Sequence, residues 1–129
     1  MKRILLAIAF SGIFSSVLKA QTLDCKKFRD GTFKIEAQGV TTFIKRKGSK
    51  QSESIQSREG SSHFKVRWLD ECTYTLTPTK KTRKTFFSEL PENAVLTIKI
   101  TEVKENSYIQ TSTANFSDMV LSSEVIRIE

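Results

Sequence analysis

His63 is the chain's only histidine, and any search for acid–base or metal chemistry begins there. It stands at the edge of the alternating run Phe64-Lys65-Val66-Arg67-Trp68, on the face that carries Lys65 and Arg67. A hydrolytic triad would need a carboxylate to orient it and an activated serine opposite, and no nucleophile-elbow motif is present. Asp70 and Glu71 are sequence neighbours whose side chains diverge, a turn pair rather than an acid–base dyad. For a metal, one histidine and two cysteines that can bridge leave only carboxylates. There is no C-x-x-C motif and no glycine-rich phosphate loop. The residue types therefore point away from an enzyme, and no metal or cofactor is expected.

What remains is charge and aromatic surface. Two basic clusters stand out, Lys45-Arg46-Lys47-Gly48-Ser49-Lys50 and Lys80-Lys81-Thr82-Arg83-Lys84. Either could face an anionic surface such as lipid headgroups, acidic glycans or nucleic acid. The first has no interleaved aromatics, which counts against a single-strand nucleic-acid platform. The second leads into Phe86, Phe87, Leu90 and Pro91, within a connection running from Thr79 to Asn93. A loop of that length with its own apolar cluster reads as a lid or plug, or as a docking surface if the rings stay exposed.

The chain has 129 residues, with 21 basic and 14 acidic side chains. It opens Met1-Lys2-Arg3, runs almost uncharged from Ile4 to Leu18, and continues Lys19-Ala20-Gln21, the pattern of a secretory signal peptide over residues 1–20. Cleavage after Ala20 leaves residues 21–129 as one domain. Lys2, Arg3 and Lys19 leave with the signal, so 18 basic residues face 14 acidic ones and the net charge drops from +7 to +4. That mild excess weakens the case for specific nucleic-acid binding. Export to the periplasm or outside the cell also predicts one disulfide, Cys25 to Cys72. No membrane span is expected after cleavage.

The elements that must position these residues are short strands. Thr32 to Ala37 alternates Phe33, Ile35 and Ala37 against Lys34 and Glu36, and Val40 to Arg46 returns with Phe43 and Ile44 as its apolar content. Lys50 to Gln56 is a polar third strand. Phe64 to Leu76 reads as a hairpin, with Phe64, Val66 and Trp68 answered by Cys72, Tyr74 and Leu76 across the break at Leu69-Asp70-Glu71. Pro78 ends strand five. Ala94 to Val103, Ser107 to Asn115 and a last strand ending at Ile128 complete eight. No convincing amphipathic helix follows the signal segment; a single helical turn fits the lead-in from Cys25 to Gly31. Eight strands joined mainly by hairpin turns predict an all-β chain closed as an antiparallel meander barrel, with a two-sheet sandwich as the alternative. In that meander the two basic clusters fall at opposite ends.

Two stretches carry a resemblance: C-x-x-F-x-x-G-x-F at Cys25, Phe28, Gly31 and Phe33, and F-x-V-x-W-x-x-x-C-x-Y-x-L from Phe64 to Leu76. Together they resemble a family of small exported bacterial proteins with no established activity, often labelled automatically as DNA topoisomerase IV. A topoisomerase subunit is several times longer and works on cytoplasmic DNA, so the label does not transfer. The first stretch is also similar to the opening of lipocalins, where a helical turn leads to Gly-x-aromatic on the first strand; Phe33 stands where lipocalins usually have Trp. That resemblance implies a barrel with one ligand-accessible mouth. The expectation is a monomeric, non-enzymatic binding protein. A small apolar ligand or lipid would lie against Phe33, Ile35, Val66, Trp68 and Tyr74, under a lid bearing Phe86 and Phe87. The alternative is an inhibitor or protein-binding module of the cell envelope, acting through Lys80, Lys81, Arg83 and Lys84.

Overall fold

Alternation of apolar and polar residues at period 2 gives each strand one face to bury, and eight such strands can bury theirs together only by curling around a shared interior. A computed structural model of the chain describes residues 23–129. It contains β1 (Gly31–Ala37), β2 (Val40–Lys47), β3 (Lys50–Ile55), β4 (Ser62–Asp70), β5 (Thr73–Pro78), β6 (Leu96–Val103), β7 (Ser107–Ala114) and β8 (Ser117–Arg127). All neighbours are antiparallel and follow chain order, with β8 closing back on β1. The barrel replaces the sandwich alternative. The signal-peptide reading lies outside the described residues. Among those residues, no helix is long and apolar enough to cross a membrane.

One end of the barrel is closed by the lead-in. A 3-10 turn, Cys25–Phe28, buries Cys25 and Phe28 against Phe33, Ile44, Ile100, Tyr108 and Val125. The Cys25–Cys72 disulfide, with its Cα atoms 5.3 Å apart, ties this turn to the β4–β5 connection. Gly31 then enters β1 at φ +151°, where an added Cβ would lie 2.6 Å from Arg127 Nη1. That approach lets Arg127, on the last strand, stack over Phe28 and Phe33 and donate to the carbonyl oxygens of Lys27 and Asp30. The β1–β8 seam pairs Phe33 with Arg127 and Lys34 with Ile126, and Thr32 continues it by accepting from Ile128 N at 2.8 Å and donating to Glu129 O at 2.9 Å.

The opposite end is covered on one side only. The connection from Thr79, expected as a loop, contains a helix, α1 (Lys80–Phe86). The Thr79 hydroxyl caps it by accepting from Thr82 N, and Thr82 Oγ1 accepts from His63 N at 2.8 Å, which pins the helix to the start of β4. So short a helix lacks the repeated apolar stripe that periodicity detects. The expected hairpin break also shifts: β4 continues through Leu69 and Asp70 by a bulge between Trp68 and Asp70, and Cys72 sits in the turn rather than on β5.

Strand stagger completes the geometry. β3 meets β4 from Lys50↔Lys65 to Glu53↔Ser62, so β4 from Val66 onward runs past the start of β3. Tilt and stagger are obligatory in a closed barrel, and here they bring the β2–β3 turn close to the beginning of β4.

Candidate functional site

Arg46 is the polar centre of the barrel. On β2 it follows the inward Ile44 by two residues, so it faces the interior, and it is 2% exposed. Its five N–H donors are all used. Nε donates to Arg29 O at 2.8 Å and Nη2 to Phe28 O at 2.7 Å, both on the lead-in. Nη1 donates to Gln51 Oε1 at 2.9 Å and Tyr74 Oη at 3.0 Å, and Nη2 also to Tyr108 Oη at 3.0 Å. The guanidinium lies 4.8 Å from the Tyr74 ring centre and 4.9 Å from that of Phe33. Burial works against its charge, but the surrounding tyrosines outweigh it and hold the group protonated. Burial likewise pushes the Tyr74 hydroxyl well above its ordinary range, so it stays neutral.

The network continues toward the open end. Gln51 Nε2 donates to Glu53 Oε1 at 3.1 Å. Desolvation raises the Glu53 pKa, against the Gln51 hydrogen bond and the attraction of Arg46, which lower it. A carboxyl with a raised native pKa holds its proton longer when folded than when unfolded. Stability therefore falls as pH rises from the ordinary carboxylate value through the native one. Glu53→Gln is expected to remove that fall and raise the melting temperature at neutral pH relative to pH 4, as read by thermal melts across pH 4–8. Parallel wild-type and variant curves would contradict it.

Above Glu53 the inward positions are not sealed. Ile35, Thr42 and Ile55 are half-buried, and Leu121, inward by its pairing with Ser112, is 57% exposed. Phe116, just before β8, and Met119 and Val120 on its first half are also exposed. The other side of this mouth is filled: Phe87 packs on Phe64, ring centres 6.2 Å apart, beside Val66, Leu76 and Ile98.

These placements separate the residues singled out from the sequence. Phe33 and Tyr74 clasp Arg46 at 0% and 1% exposure, Val66 belongs to the second core cluster, and Trp68 packs on Tyr74 beneath the stacked Arg29. Of the five, Ile35 lies one inward position beyond Phe33, half-buried and packed against the first core cluster. Phe87 is part of the lid's seat, whereas Phe86 is 45% exposed beside Gly60. Lys80, Lys81 and Lys84 are exposed on α1, while Arg83 is half-buried with Nη2 4.0 Å from Glu92. His63 is solvent-facing, as its alternation suggests. Among the described residues no cluster of three metal-ligating side chains occurs.

Arg46 was missed by sequence reasoning, which placed it in an exposed basic cluster with Lys45 and Lys47. The signal was there: Ile44 inward implies Arg46 inward and Lys45 and Lys47 outward. The same phase turns Phe43, read as core content of strand two, to the outside, where it pairs with Lys34.

Comparison with known proteins decides little. The chain matches no protein-family model, no curated protein and no solved structure. Function must be argued from the barrel itself.

Proposed function

We propose that this protein is an exported, non-enzymatic binding barrel that takes a small, predominantly apolar ligand at its open mouth. The observation that carries the reading is the contrast between the two ends. Inward side chains around Arg46 are sealed, while Ile35, Ile55 and Leu121 face inward yet keep solvent-accessible surface. Apolar surface left wet gains free energy when a ligand covers it. Glu53 and the Gln51–Arg46 network below form a polar floor, so the ligand is best matched by an apolar body with a neutral hydrogen-bonding end. The disulfide favours an oxidising compartment, in keeping with the export signal read at residues 1–20.

N-phenyl-1-naphthylamine, a neutral apolar fluorophore, is expected to brighten on binding the purified protein. The Ile55→Lys and Leu121→Lys variants, which leave the sealed end intact, should each weaken that binding by about tenfold, the effect of losing a buried apolar contact and introducing a charge. No enhancement with folded protein, or equal enhancement with both variants, would overturn the reading.

A further inference from the structure

The outer wall of the barrel carries a feature that the mouth does not explain. Lys47, Lys50 and Lys65 sit directly opposite one another on β2, β3 and β4, through the pairs Lys47↔Lys50 and Lys50↔Lys65. All three are exposed, and Lys45 joins them on the same outward face of β2. Neighbouring strands lie about 4.8 Å apart, so three ammonium-bearing side chains leave the wall at steps of about that size. Like charges directly opposite on a sheet repel, and among the described residues no ion pair offsets them. The ion pairs among the described residues are Lys26–Glu71, Lys34–Glu36, Arg83–Glu92 and Lys104–Glu124, and none involves this ladder.

The four lysines line a single depression of about 820 Å3 that also takes in His63 and Thr79. Its one acidic lining residue is Asp30, whose Oδ1 already accepts from Gly48 N at 2.9 Å. The meander does put the β2–β3 turn and the β5–β6 connection at opposite ends, but stagger shortens the distance between the two basic clusters. Thr79, the cap of α1, forms the far wall of the depression, and Lys80 and Lys81 begin where it stops.

We infer that this lysine-walled depression is a binding site for a linear acidic polysaccharide, a chain bearing carboxylate or sulfate groups along its length. Charge complementarity requires a polyanion, since a row of ammonium groups is best neutralised by a row of anions. The shape selects among polyanions. A bilayer surface is met by protruding apolar side chains, whereas this surface is recessed and its one large apolar lining residue, Phe64, is 4% exposed. Single-stranded nucleic acid is held by aromatic platforms for its bases, and the lining presents no exposed Phe, Tyr or Trp ring. A glycan needs neither; lysine heads can meet its anions while their aliphatic stems lie along the sugar faces.

The test uses the oxidised protein and a heparin-derived octasaccharide, followed by titration calorimetry. Binding is expected to weaken steeply with added sodium chloride, and the triple variant K47Q/K50Q/K65Q should bind about tenfold or more weakly. Its melting temperature should stay level or rise, since the substitutions relieve repulsion within the ladder. The control K80Q/K81Q/K84Q should keep most of the affinity. Several results would overturn the site: equal affinity in the ladder variant, loss in the α1 control alone, or equal binding of uncharged dextran. Stronger ladder-dependent capture by phosphatidylglycerol vesicles or by single-stranded DNA would overturn the polysaccharide assignment in favour of that partner.

Discussion

Arg46→Met is expected to lower the melting temperature by more than about 10 °C, from a loss of roughly 3 kcal/mol or more. Methionine fills much of the volume but donates nothing. The carbonyl oxygens of Phe28 and Arg29 would lose their side-chain donor in a buried setting, and Gln51, Tyr74 and Tyr108 would lose the group around which they are arranged. Leaving such groups unsatisfied costs more than the hydrogen bonds themselves gain. Arg46→Lys should fall between, because an ammonium keeps the charge but has three donors and no planar fork. Thermal melts of the three proteins test the ordering. A methionine variant as stable as the wild type would mean that the network is dispensable and that apolar packing alone holds the closed end.

Cys72→Ser should be comparably severe. The bridge closes a loop of 46 intervening residues, for which the chain-entropy account gives about 4 kcal/mol. In a domain of this size that is a large fraction of the whole stability. The redox arm separates the bridge from the side-chain change: a reductant should lower the wild-type melting temperature toward that of the serine variant and leave the variant itself unmoved. Reductant-insensitive wild-type melting would show that the bridge carries no stability. The two predictions are linked through the lead-in, since the disulfide anchors the same turn whose carbonyls Arg46 holds. A double variant is therefore expected to lose less than the two single losses added together.

Much of this barrel can be read from the sequence because its strands obey a local rule. Alternation in Phe33-Ile35, Phe64-Val66-Trp68 and Ile98-Ile100 identifies strands without knowledge of their partners, and hairpin-length turns force neighbours in sequence to be neighbours in space. The cysteines are equally legible, being two in number. The less legible features depend on relations between strands. Arg46 looks like surface because its charge speaks louder than its phase; only once Ile44 is taken as inward does the guanidinium have to follow. The lysine ladder is invisible until register is known, because Lys65 joins Lys47 and Lys50 through stagger rather than sequence proximity. The open mouth is hidden for a similar reason. Strand patterns say which side chains turn inward, not how many the interior can accommodate, and the sealed end uses Phe33 and Tyr74 where a ligand wall was expected.

The β1–β8 seam has a consequence for how the molecule comes to be folded. Every other strand pairing joins consecutive strands and can form as the chain becomes available. The seam alone must bring Phe33 to Arg127, across almost the whole barrel. Until the last residues arrive, β1 presents an unpaired edge, and the cradle that Arg127 forms over Phe28 and Phe33 is missing. Such distant contacts are reached slowly, and open edges invite pairing between chains while they last. The final strand thus acts as a latch: a chain stopped short of Val125 would keep the seven pairings between consecutive strands and still have no closed barrel.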